Sequence, residues 1–324
     1  MQIPEKFLSC DWGTSSFRLR LVETETLAIL AEESSDEGNT NTFNLWTETK
    51  QPEEKRFAFY LSIIQNHIHQ LEQQQRINLN DVPLVISGMA SSTIGMLELP
   101  YKNIPFLTDG SDLATQIIRP QDNFRHKIIL ISGVKSEDDV MRGEETQLVG
   151  CCFDNSPKGQ LFIHPGTHTK HIYIKNGKVL KFKTYMTGEF FSLLSGKSIL
   201  SSSVEKGGNL KEPDTMRFFE KGVKESLRLN LLHTSFMVRT NMLFQKCSNR
   251  ENYYYLSGLL TGSELKDLVN SPIETITLAG EEVLLDNYLA ALTILGITDK
   301  TSVTVKNADE VTIKGQFEVL KNAV

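Results

Sequence analysis

Cysteine is scarce in this chain: four residues in 324, at Cys10, Cys151, Cys152 and Cys247, and none in a C-x-x-C pair. Adjacent Cys151-Cys152 suits neither a routine disulfide nor zinc spacing, so reduced thiols in a cytoplasmic protein are expected. No apolar run approaches the roughly 20 residues needed to span a bilayer. The opening MQIPEKF lacks the charged-then-apolar pattern of a signal peptide, so no membrane partner is expected. An excess of positive charge is missing too. With 34 Lys and Arg against 40 Asp and Glu, the net charge of -6 argues against nucleic acid as the main partner, because a phosphate polymer needs a basic surface. Low-complexity tracts and coiled-coil heptads are likewise absent. What remains is an ordinary globular balance, 40% hydrophobic and 23% charged, long enough for two domains with substantial cores.

The most informative stretch is FLSCDWGTSSFRLRLVE, Phe7 to Glu23. Apolar residues run up to Asp11, a turn follows at Gly13-Thr14-Ser15, and alternation resumes at Phe17, Leu19 and Leu21. The pattern predicts a β-hairpin whose tip carries one carboxylate, one bare backbone position and two hydroxyls. An aspartate there can hold a metal ion, and a glycine beside it lets a phosphate touch backbone N–H groups. Alone, D-x-G-T is equally compatible with a plain turn.

A near-copy lies at LFIHPGTHTKHIYIKNGKVLKF, Leu161 to Phe182, where Gly166-Thr167 answers Gly13-Thr14 at an offset of 153 residues. Asn176-Gly177 supplies the type I′ pair expected between two twisted strands. LVISGMASS (Leu84 to Ser92) and ITLAGEEVLL (Ile276 to Leu285) share the design of a buried strand ending in glycine before a helix-like run. A further strand follows each, IILISG (Ile128 to Gly133) and SVTV (Ser302 to Val305). Each half therefore reads as a three-stranded meander, then helix, strand, helix, strand, helix. An internal duplication is inferred.

The boundary between halves falls in Cys151 to Gly159, which is rich in turn residues, giving domains 1–155 and 156–324. A helix is predicted from about Pro52 to Gln75 on the spacing of Phe57, Leu61, Ile64, Ile68 and Leu71; His67 and His69 are expected on its solvated surface. Pro100 to Asn123 reads as an excursion or lid. A helical insert, roughly 213–269, precedes the last strand-helix units of the second half.

Two phosphate-handling hairpins facing one another across a cleft suit a nucleoside triphosphate. Asp11 is then placed to organise Mg²⁺, which neutralises charge during phosphoryl transfer. Lys170 could reach a phosphate as a point charge, or could be a solvated strand lysine. Between the hairpins, Glu137 to Asp139 read as a helix start, whereas Arg142-Gly143-Glu144-Glu145 reads as a compact polar site. Phosphorylating a sugar hydroxyl needs a carboxylate within hydrogen-bond reach, and Asp11, Glu144 and Glu145 are the candidates. In MTGEFFSLL, Thr187 could cap a helix, and Glu189 could instead take a polyol hydroxyl. Gly258 and Gly262, four apart in a helical pattern, allow either close helix packing or approach of a flat ligand such as adenine; Gly280 ends a strand and suits nucleotide contact.

Together DWGTSSFRLR, SGMASSTIGMLELPY, VMRGEETQLVG, HPGTHTKHI, MTGEFFSLL and LSGLLTGSEL resemble the 2-dehydro-3-deoxygalactonokinase family, a branch of the sugar-kinase, actin and Hsp70 superfamily. The resemblance runs from Asp11 to about Leu292. DWGT and PGT recur across many ATPases, whereas MRGEETQL joined to PGTHxK and MTGE is specific to the family. The resemblance implies an α/β fold of two ribonuclease-H-like (actin-like ATPase) domains with a cleft between them. It implies ATP- and Mg²⁺-dependent phosphorylation of the 6-hydroxyl of 2-dehydro-3-deoxy-D-galactonate, in galactonate degradation. Carried over residue by residue, Asp11, Gly13, Thr14 and Ser15 resemble the first phosphate motif, and Gly166, Thr167, His168 and Lys170 the second. Ser87, Gly88, Met89, Ala90 and Arg142 to Glu145 would line the sugar-acid side, with Arg18, Arg142 or Lys170 pairing with the substrate carboxylate. The chain departs from the family at Glu281-Glu282, where small or hydroxyl residues are usual, and in KNADEVTIKGQF after the last strand. Kinases of another hexonate or an amino sugar, and an actin-like ATP-regulated assembly protein, are the alternatives. Oligomeric state is left open, a homodimer being allowed.

Overall fold

Alternation builds the first strand pair. A computed structural model describes residues 3–323. In it β1 (Lys6–Trp12) and β2 (Phe17–Glu23) pair antiparallel, Trp12 opposite Phe17 and Asp11 opposite Arg18. Leu8, Cys10, Trp12, Phe17, Leu19 and Leu21 share one face, because side chains alternate along a strand. The helical spacing at 57, 61, 64 and 68 produces α2 (Arg56–Gln75), whose apolar stripe covers that face.

The chain divides into two units: residues 1–155 with 177–181 and 308–324, and residues 156–176 with 182–307. These differ from the expected 1–155 and 156–324 in two segments. The larger is the C-terminal helix, which is grouped with the first unit.

In the first unit β1, β2 and β3 (Ile29–Ser35) form the meander. After α1 (Asn39–Glu48) and α2, β4 (Leu84–Gly88) returns parallel to β1. Next come two short strands, β5 (Lys102–Asn103) and β6 (Phe106–Leu107), then β7 (Thr115–Ile118) and β8 (Ile128–Ile131), the last parallel to β4. The sheet order is β3-β2-β1-β4-β8-β7. The expected lid, Pro100 to Asn123, is therefore largely these short strands and their turns. β9 (Val134–Lys135) and β10 (Val140–Met141) form a small hairpin, so Glu137 to Asp139 sit in its turn and not at a helix start. The helix begins later, as α3 (Glu144–Gly150).

In the second unit β11 (Gly159–His164), β12 (Thr169–Lys175) and β13 (Lys178–Tyr185), whose residues 178–181 are grouped with the first unit, form the meander, and positive φ at both Asn176 and Gly177 gives the expected primed turn. The helices α4 (Thr187–Lys197), α5 (Pro213–Ser226), α6 (Leu231–Leu243) and α7 (Asn249–Leu265) follow. Then β14 (Ile273–Gly280), α8 (Glu282–Ile294) and β15 (Ser302–Asn307) lead to α9 (Ala308–Ala323). Strands run β15-β14-β11-β12-β13, with β14 parallel to both neighbours. Both units thus share a meander followed by two parallel strands in the spatial order 3-2-1-4-5, the ribonuclease-H-like arrangement.

Among the described residues no helix is long and apolar enough to cross a membrane. Cys10 and Cys151 are buried, Cys152 is exposed and Cys247 is half-buried. His67 corrects its expectation. It is buried, stacks on Phe17 at 4.4 Å and meets the Glu37 carboxylate at 2.7 Å, whereas His69 is exposed.

Candidate active site

In the first unit Asp11 is the penultimate residue of β1 and lies opposite Arg18 on β2 and Ser87 on β4. Beyond it the turn closes with Gly13 N–H donating to the Ser16 carbonyl at 2.9 Å, leaving Thr14 and Ser15 exposed. The start of α1 clamps this turn: Asn39 N–H donates to Gly13 O at 2.9 Å and Thr40 N–H to Thr14 O at 3.0 Å. A Cβ at Gly38 would lie 2.3 Å from the Ser15 backbone, so only glycine fits there.

Gly88 ends β4 with φ +86, a conformation that side chains rarely adopt. A Cβ there would lie 2.6 Å from the Trp12 carbonyl and 3.4 Å from Asp11 Oδ1. Gly143, with φ +112, packs in turn on Gly88, a Cβ at 143 meeting the Gly88 Cα at 3.4 Å. Asp11, the β4 end and the start of α3 are therefore brought together. That juxtaposition is the core of the candidate site.

The two glutamates after Gly143 behave differently. Glu145 is buried, and its carboxylate turns back to accept from Gly143 N–H at 2.8 and 3.0 Å and from the Thr146 hydroxyl at 3.1 Å. Burial, with the neighbouring Glu144 charge second, pushes its carboxyl up to about 7 against those bonds. Glu144 is half-buried and accepts from Arg142 N–H at 2.9 Å. Arg142 is held away from its own turn: its guanidinium donates to the Ser91 carbonyl at 2.6 Å and lies 4.2 Å over the Tyr101 ring. Ser87 is buried, and its hydroxyl accepts from Gln316 at 2.8 Å. Met89 and Ala90 begin a short 3₁₀ turn. Arg18 donates to Asp309 on α9 at 2.6 Å.

In the second unit Gly166 and Thr167 occupy the β11–β12 turn, and a Cβ at Gly166 would meet nothing within 4 Å. Gly188 presses on this turn, since a Cβ there would lie 2.4 Å from the Gly166 carbonyl oxygen, and Glu189 N–H donates to Thr167 O at 3.0 Å. His168 Nε2 and the Glu189 carboxylate meet at 2.5 Å. Gly280 sits beside the same turn, where a Cβ would lie 3.4 Å from the Pro165 ring. Lys170 is buried and bonds the Thr184 hydroxyl at 2.7 Å, so its ammonium is engaged within the sheet. Thr187 is the first residue of α4 rather than its cap, and its hydroxyl donates to Glu264.

A model of the 2-keto-3-deoxy-galactonokinase family matches residues 11–319. The chain belongs to this family. It is 29% identical over 309 residues to the Rhizobium meliloti (strain 1021) protein named "Probable 2-dehydro-3-deoxygalactonokinase DgoK1", covering 94% of this chain and 93% of that one. It is 30% identical over 248 residues to the 2-dehydro-3-deoxygalactonokinase of Escherichia coli (strain K12), covering 74% and 80%. A crystal structure of "a putative 2-dehydro-3-deoxygalactonokinase protein" from Sinorhizobium meliloti superposes with a TM-score of 0.77 at 28% identity, over 96% of each chain. The family is one of sugar-acid kinases, phosphotransferases with an alcohol acceptor.

Within this 2-keto-3-deoxy-galactonokinase family member, Gly258 and Gly262 resolve to the packing alternative. A Cβ at Gly258 would lie 2.1 Å from the Phe219 carbonyl and one at Gly262 2.5 Å from the Ser226 hydroxyl, so both glycines face α5 and leave no room there for a ligand. Residues that the sequence reading missed are Gly38, Asn39, Thr169, Glu264 and Tyr288. Gly38-Asn39 before a helix was a readable start signal; the other three act through partners far apart in sequence.

Proposed function

We propose that this chain transfers the terminal phosphoryl group of ATP to the 6-hydroxyl of 2-dehydro-3-deoxy-D-galactonate in the cytoplasm. The observation carrying this reading is the Asp11 carboxylate near the end of β1 beside Gly88, on which the Gly143 turn packs, in a chain of this family. Thr14 and Ser15 are exposed on the first turn and Gly166 opens onto free space on the second, which suits both to phosphate.

The donor set fits Mg²⁺ only as an ion shared with phosphates. Among the described residues no three His, Cys, Asp or Glu side chains cluster to hold a metal alone, and Mg²⁺ with a nucleotide needs one or two carboxylates. Asp11 would hold it; when bound, the ion neutralises phosphate charge. A carboxylate beside a cation is a weaker base, so the acceptor proton goes to Glu144. Glu145 is buried and occupied by Gly143 N–H and the Thr146 hydroxyl. Arg142, fixed over Tyr101, faces the substrate carboxylate, and Glu189 takes a sugar hydroxyl.

Purified protein with MgATP and 2-dehydro-3-deoxygalactonate should release ADP in a coupled assay. No turnover above the ATP-only blank overturns the reading. A panel of hexonates and amino sugars in the same assay ranks the acceptor.

A further inference from the structure

The last turn of α7 carries a carboxylate in the LSGLLTGSEL segment that neither glycine accounts for. Glu264 is buried and both its oxygens are occupied. Oε1 accepts from His171 Nε2 on β12 at 2.8 Å. Oε2 accepts from the Tyr288 hydroxyl on α8 at 2.7 Å and from the Thr187 hydroxyl at the start of α4. One carboxylate thus gathers a strand and two helices.

Counting protons gives the network a direction. Tyr288 has a single hydroxyl proton, and it goes to Glu264; burial, with the Glu264 charge second, keeps the phenol well above its usual range. Thr169 Oγ1 lies 2.9 Å from the Tyr288 oxygen and must therefore donate to it. Its lone pairs then face Gly166 N–H, a long contact of 3.4 Å. The second branch runs through Thr187, whose neighbour Gly188 is seated on the Gly166 carbonyl and whose next residue binds Thr167 O. Both sides of the Gly166-Thr167 turn trace back to Glu264. Burying a carboxylate is costly, and apolar side chains could fill the same space. A satisfied buried network fixes geometry, which apolar packing does less well.

We propose that Glu264 is a positioning residue for the Gly166-Thr167 turn, holding its backbone through Tyr288-Thr169 and Thr187-Gly188 and so setting affinity for the nucleotide phosphates. This rests on the reading of that turn as a phosphate contact.

Four proteins test it: wild type, Glu264→Gln, Tyr288→Phe and Gly166→Ala, each measured for KM of MgATP, KM of the sugar acid, kcat and melting temperature. Glu264→Gln and Tyr288→Phe should raise KM for MgATP roughly tenfold, with KM for the sugar acid within about twofold. Should Glu264→Gln fail to fold, Tyr288→Phe, which loses one oxygen, decides. A lowered melting temperature and kcat with KM for MgATP unchanged would mean a merely structural network and overturn the proposal. Gly166→Ala separates the two levels, because its methyl meets no protein atom within 4 Å and intrudes only on ligand space. If Gly166→Ala leaves KM for MgATP unchanged, the phosphate reading of the turn falls, and the proposal with it. If Gly166→Ala raises it and the other two do not, the positioning role alone is wrong.

Discussion

Three carboxylates near one turn have three different surroundings, and each makes a separate prediction. Asp11, half-buried beside Gly88, is the carboxylate proposed to hold the metal ion; Asp11→Asn should abolish phosphoryl transfer with the melting temperature nearly unchanged. Glu144→Gln should lower kcat by about 10²–10⁴, the usual worth of a general base, and steady-state kinetics at saturating MgATP check both. Glu145→Gln should keep kcat within a few-fold, because that side chain is spent on Gly143 and Thr146. Its signature lies in stability. Burial first, then Glu144, raises the Glu145 carboxyl from 4.5 to about 7, so the folded state holds a proton that the unfolded chain has lost. Stability from this group is full below about pH 4.5 and falls as pH rises to about 7, by on the order of 3 kcal/mol at most. The melting temperature of Glu145→Gln relative to wild type should therefore climb between those pH values and level off above. A flat difference across that range would show that Glu145 is ionised in the folded protein.

Among elements, α3 and α9 approach as backbones rather than as side chains. A Cβ at Gly150 would lie 1.8 Å from the Val311 carbonyl, and one at Gly315 1.9 Å from the Thr146 carbonyl. Gly315→Ala must force the helices apart, at about 2–3 kcal/mol for an overpacked contact. It should also loosen Gln316 from the Cys10 carbonyl and the Ser87 hydroxyl, each 2.8 Å away. Thermal melts of Gly315→Ala against Gly196→Ala, whose methyl would meet nothing within 4 Å, check the difference. This contact was illegible beforehand because its two glycines are far apart in sequence and each reads as an isolated weak helix residue. The hairpins were legible for the opposite reason: Asp11 to Phe17 and Asn176-Gly177 are local patterns whose turn chemistry names the structure. Period alone located α2 but not His67, since a histidine on the buried stripe is identified by Phe17 and Glu37, which come from other elements. Glu137 to Asp139 were misplaced because acidic residues serve a hairpin turn as readily as a helix start.

At the scale of the whole chain, the repeated succession of meander, helix, strand, helix and strand was readable from two copies of one motif, whereas the spatial strand order and the membership of the last helix were not. Chain order assigns α9 to the second half; contacts assign it to the first. The polar side chains on one face of the first sheet explain why. Ser9 and Arg20 are opposite one another and buried, and Arg20 meets Asp309 on α9 at 2.9 Å and Glu32 on β3 at 2.5 Å. Phe7 on the same face stacks with Phe317 at 6.1 Å. Removing residues 308–323 would bare that face and leave a buried arginine short of a carboxylate, losses to be set against the roughly 5–15 kcal/mol by which a domain is stable. A fragment of residues 1–155 should accordingly show no cooperative melt by circular dichroism, although it contains every strand of the first sheet. The same fragment with 308–323 supplied through a flexible linker should regain one. The first unit then completes only after residues 308–323 are made. A cooperative transition in 1–155 alone would show that α9 is an accessory to that unit rather than part of its core.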